Sequence, residues 1–101
     1  MEEIKMLLED IREELEDAEK YAKCAAKYKD TDRELSSTFY TLAGEELGHM
    51  EKLHTQGVRI IKAYKEKGHE DQATMQTIWD WEKPKIIEHT AHVRHLLESA
   101  R

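Results

Sequence analysis

The chain has a single cysteine, Cys24, which rules out an internal disulfide and any cluster of thiolates for structural zinc. It has one proline, Pro84, and four glycines, so the backbone has few places to break. No apolar run approaches the roughly 20 residues that a membrane-spanning helix needs. Basic residues are outnumbered, 16 Lys and Arg against 22 Asp and Glu, and the net charge of -6 argues against a basic face for nucleic-acid phosphates. The opening stretch MEEIKMLLED is acidic where a secretory leader would be basic. With the lone thiol, this predicts a reducing, cytoplasmic setting.

What is present is Glu, Lys, Ala and Leu in abundance, with 38% of residues charged, a composition that predicts an almost wholly helical chain without sheet. At 101 residues it is long enough for one domain with one modest core.

Three amphipathic segments follow from the periodicity. In the first, about 2–29, Ile4, Leu7, Leu8, Ile11, Leu15, Ala18, Ala22 and Ala25 recur every three or four residues. The second, about 32–67, opens where Thr31 and Glu34 fit a capping box, carries a stripe of Leu35, Phe39, Leu42, Ala43, Met50, Leu53, Gly57, Ile60, Ile61 and Tyr64, and stops at Gly68. The third, about 71–98, is expected to be capped by Asp71, with Met75, Ile78, Trp79, Ile86, Val93, Leu96 and Leu97 inward. Pro84 predicts a kink near Asp80 or a restart near Glu82. The connections are short, so neighbours must be antiparallel: an all-α, up-down-up, three-helix bundle. So thin a bundle leaves apolar surface uncovered, and a homodimer is expected.

The chemistry-bearing pattern is Glu-x-x-His, in which a carboxylate and an imidazole three residues apart share a helix face and can reach one metal ion. It occurs at Glu46/His49, Glu51/His54 and Glu66/His69; with 16 Glu and six His, about one such spacing is due to chance. Orientation separates them. Glu46 lies inside the apolar stripe, with His49 at its edge; Glu51 falls off the stripe, and Glu66 is at the helix end. Glu14, between Ile11 and Ala18, belongs to the buried row of the first segment, and a hairpin centred near Asp30 and Thr31 sets it level with Glu46.

A long Glu can reach solvent from a stripe edge, and His is often only a satisfied interior residue. Two level carboxylates are harder to explain in that way, because they are costly in a dry core unless a cation neutralises them. Carboxylates with one imidazole suit iron, with manganese or zinc as alternatives. Glu82 and His89 lie on the inward stripe of the third segment, and His89 falls near the height of His49. It is a further candidate ligand, the alternative being a histidine bonded to a carboxylate. His92 and His95 turn outward. Trp79 and Trp81 read as packing or interface anchors.

From Ile11 to His54 the chain resembles the ferritin-like superfamily, in particular rubrerythrin-type proteins and the short encapsulated ferritins. The resemblance rests on Glu14 followed by Ala18 and Tyr21, then TFYTLAGEELGHMEKL from Thr38 to Leu53. It implies that Glu14 binds one iron, that Glu46 bridges two and that His49 completes the site, with Tyr21 near the metals. Four-helix members carry two such half-sites per chain and this sequence has one. The resemblance therefore implies a di-iron centre completed across a two-fold dimer. It also raises residence in an encapsulating shell, although the C-terminal HLLESAR has no evident encapsulation tail. The implied activity is ferroxidase-like oxidation of Fe(II) or reduction of peroxide. A non-catalytic helical adaptor, whose apolar stripes dock a partner, is the competing class.

Overall fold

The computed structural model describes residues 1–101 as three helices and no strands: α1 (Glu2–Tyr28), α2 (Arg33–Glu66) and α3 (Gln72–Ser99). None is long and apolar enough to cross a membrane. The eight residues of the first stripe are the eight that α1 buries. On α2 the buried set is Ser36, Ala43, Leu47, Met50, Gly57 and Ile61, so the stripe is narrower than its sequence pattern and includes Leu47. α3 buries Met75, Trp79, Val93 and Leu97.

The turns explain the directions. α2 starts one residue later than a Thr31 cap would place it: the carboxylate of Asp32 accepts from the Leu35 amide at 3.1 Å and takes the cap role. Ser36 is buried because its hydroxyl donates to the Ala25 carbonyl at 2.6 Å. That carbonyl lies in the last turn of α1, where helical partners run out, and the bond fixes the hairpin. At the other end of α2, the Gly68 amide bonds the Lys65 carbonyl, and the His69 amide reaches the Tyr64 carbonyl. This is a Schellman cap, and it needs the positive φ of 63° that Gly68 supplies. The rings of Tyr64 and His69, 4.5 Å apart between centroids, close it.

Asp71 stands at the start of α3 but makes no side-chain cap. α3 runs unbroken through Pro84, so no restart occurs at Glu82. The carbonyl that the proline leaves without a donor belongs to Asp80, on an exposed turn where water can serve it.

In the α1–α2 hairpin Ser36 meets Ala25, Phe39 meets Tyr21 and His49 meets Glu14, so a step forward along α2 is a step back along α1. α3 runs parallel to α1 at a constant offset: Glu19 meets His89 and Lys29 meets Ser99, 70 positions apart, and Arg12 meets Glu82 at the same interval. α2 and α3 touch sparingly. Their close approach is at Gly57, where a Cβ would collide with the six-membered ring of Trp79. His54 lies over the same indole at 4.9 Å. Beyond that point the helices leave a groove of about 600 Å³, lined in part by Met50, His54, Ile86 and Ile87.

The result is a rod of 56 × 18 × 16 Å with a radius of gyration of 16.3 Å, against about 13 Å for a rounded chain of this length. With 19 of 101 residues buried, the core is a thin seam, and Trp81 (71% exposed) and Ile87 (59%) lie outside it.

Candidate metal centre

The site is built on the middle of the hairpin. Glu14 precedes the buried Leu15 on α1, and Glu46 precedes the buried Leu47 on α2. Next to them along each helix the core residues are small, Ala18 and Ala43, both fully buried. Small side chains let the two backbones approach, which brings the longer carboxylates together.

Glu14, Glu46 and His49 converge, with one potential ligand atom from each lying within 4.8 Å of the others. His49 Nδ1 is 3.4 Å from Glu14 Oε2 and 3.6 Å from Glu46 Oε2. Donors around an ion with bonds near 2.0–2.2 Å lie roughly 3–3.5 Å apart, so the two imidazole–carboxylate spacings are close to those around one cation. The carboxylates are largely enclosed, at 26% and 19% side-chain exposure, and the imidazole stands at the mouth, at 53%.

The electrostatics are unbalanced. No Lys or Arg pairs with either carboxylate; His49 is the partner of both. Glu14 Oε2 is buried with no hydrogen-bond partner, since the nearby His49 nitrogen does not form one with it. The Glu46 carboxyl is pushed above its usual 4.5 by the hydrogen bond its protonated form can donate to the Glu14 side chain, by burial and by the Glu14 charge, against a smaller opposing pull from His49. In the metal-free protein Glu46 therefore holds its proton to a higher pH than a free carboxyl does. A divalent cation is the natural replacement: it satisfies the orphaned oxygen, removes the like-charge repulsion and takes three protein donors while leaving positions open.

The other sequence candidates go elsewhere. His89 is not at the triad; its Nε2 is 3.1 Å from Glu19 Oε1. Glu82 is paired with Arg12 at 3.8 Å and Lys85 at 3.7 Å. Glu51 holds Arg94 at 3.1 Å and His54 covers Trp79, while His69 sits in the turn beside Asp71. Tyr21 stacks on Phe39 at 6.0 Å, as Tyr28 does at 6.3 Å, so it serves the hairpin packing. Sequence reasoning missed the pairing of Glu19 with His89 and His92, which depends on the register of α3 along α1.

Compared with profiles of protein families, with curated proteins and with solved structures, the chain matches none. The metal reading therefore stands on side-chain geometry.

Proposed function

We propose that this chain is a ferritin-like, iron-binding protein that holds Fe(II) between Glu14, Glu46 and His49 and supports its oxidation. The observation that carries the reading is the buried, unpartnered oxygen of Glu14 beside a second carboxylate, with no Lys or Arg paired to either. Glu14, Glu46 and His49 would hold the iron, and a two-fold homodimer would bring two such hairpins together into a four-helix centre. The thin core and the exposed Trp81 and Ile87 favour association with a second copy. Iron held in this way can give electrons to dioxygen or peroxide. Protons compete with the metal for Glu46, whose carboxyl holds its proton more tightly than usual, so uptake strengthens with rising pH. His49, half open to solvent, lines the way in.

Anaerobic titration with Fe(II) tests the reading. Wild type is expected to saturate near one iron per chain, about two per dimer, and to oxidise it when air is admitted. Glu46→Ala should lose this iron. Wild-type iron content in that variant rejects the assignment.

A second reading, a non-catalytic helical adaptor, is favoured by the open groove between α2 and α3 with Ile87 at its edge. Absence of Fe(II) binding at neutral pH by the wild-type protein would select it.

A further inference from the structure

We propose a second cation site, separate from the carboxylate-rich triad, in which Glu19 of α1 and His89 and His92 of α3 bind a divalent ion that prefers nitrogen, such as Zn(II). The parallel register of α1 and α3 sets Glu19 opposite His89, and His92, three residues on, shares that helix face. The two oxygens of Glu19 are divided between partners. Oε2 takes the Lys23 ammonium at 3.0 Å, and Oε1 lies 3.1 Å from His89 Nε2 and 3.7 Å from His92 Nε2. Both imidazoles thus turn the same nitrogen toward one carboxylate oxygen.

Around a tetrahedral ion with bonds near 2.0–2.1 Å, donors are roughly 3.3 Å apart, and the two observed distances bracket that value. An ion held by Glu19 Oε1 and His89 Nε2 gains its third donor when the half-exposed His92 turns its Nε2 inward, both imidazoles then being neutral. The group is more open than the Glu14, Glu46, His49 triad, each imidazole being close to the carboxylate rather than to the other. His92 is half-exposed and free to swing inward, whereas Glu19 and His89 are held at 28% and 27% exposure. Glu88, one turn from His92, lines the same surface hollow of about 350 Å³ and offers an oxygen as a fourth donor. Lys23 and Lys85 are the cations nearby, and both are 60% exposed, so either can turn to solvent when an ion enters.

Two imidazoles with one carboxylate form a donor set suited to zinc, cobalt, nickel or copper. One imidazole with two carboxylates is harder and suits iron or manganese. The two sites would therefore sort metals by donor type. The second would also clamp α3 to α1, the helix that supports α3 more than α2 does.

The test is calorimetric titration of Zn(II), with Co(II) absorbance as the spectroscopic reporter, in the Glu46→Ala background so that the triad is disabled. One Zn(II) per chain is expected to bind there and to raise the melting temperature. Adding His92→Ala or Glu19→Gln should weaken that binding at least roughly tenfold and remove the thermal shift. Both positions are partly or half exposed, and circular dichroism of each variant checks that the helices persist. Zinc binding in the Glu46→Ala background that neither substitution changes, or no zinc binding at all, overturns the proposal. Iron binding by the triad can fail or succeed independently of either outcome.

Discussion

Replacing Glu46 by Gln keeps the length and shape of the side chain and removes its charge, so stability and metal affinity should move in opposite directions. Two unit charges no more than 4.8 Å apart repel by at least roughly 0.9 kcal/mol at the dielectric of water and at least roughly 3.5 kcal/mol at an effective dielectric of about 20. Both carboxylates are about a fifth to a quarter exposed and His49 offsets part of the repulsion, which leaves about 1–2 kcal/mol. For a chain of this size, that is a rise in melting temperature on the order of 5–10 °C for metal-free Glu46→Gln at pH 8.

The pH dependence follows from the raised Glu46 carboxyl. The folded state binds its proton more tightly than the unfolded chain, so this penalty is absent below the ordinary 4.5. It grows as pH rises through the elevated value and is complete above it. The advantage of Glu46→Gln should therefore vanish near pH 4 and be full at pH 8, as read by circular dichroism melts in chelator across that range. A Glu46→Gln protein that melts at or below wild type at pH 8 would refute the idea that these two carboxylates are left unneutralised.

Two further outcomes follow from the packing between α2 and α3. Gly57→Ala gains about 1 kcal/mol of helix propensity but drives a methyl group into the buried Trp79 ring; we expect net destabilisation of about 1–2 kcal/mol by urea melts, partly recovered by Trp79→Leu. Burial, with a smaller push from Lys83, holds the His54 imidazole below its ordinary 6.5. Folding thus favours its neutral form, a contribution complete above 6.5 and lost as pH falls through the window below it. The drop in melting temperature between pH 7 and pH 5 should be smaller in His54→Gln than in wild type, and an equal drop in both would contradict this.

The hairpin was legible because a short turn converts sequence distance into height. Once α1 and α2 are antiparallel about residues 30 and 31, Glu14 must stand level with Glu46, and the helical period places His49 beside them. The α1 stripe could be read residue by residue, since its period holds over 27 residues. α2 was harder: over 34 residues a stripe drifts around the helix, which is how Leu47 came to be buried while Leu42 and Phe39 are half-covered. Ser36 could not be recognised as core, because its burial depends on the Ala25 carbonyl and so on tertiary contact. Adjacent Thr31 and Asp32 are both good caps, and composition does not rank them. The partner of His89 depends on how α3 slides along α1, which no periodicity within α3 encodes.

The central claim is that Glu14, Glu46 and His49 hold one ion between them. Crystals grown with Fe(II) under anaerobic conditions, measured at wavelengths on either side of the iron absorption edge, test it directly. An anomalous peak is expected about 2.0–2.2 Å from a carboxylate oxygen of Glu14, an oxygen of Glu46 and a nitrogen of His49. Iron found elsewhere, or Glu14 and Glu46 still facing each other across an ion-free gap in iron-saturated crystals, would contradict it.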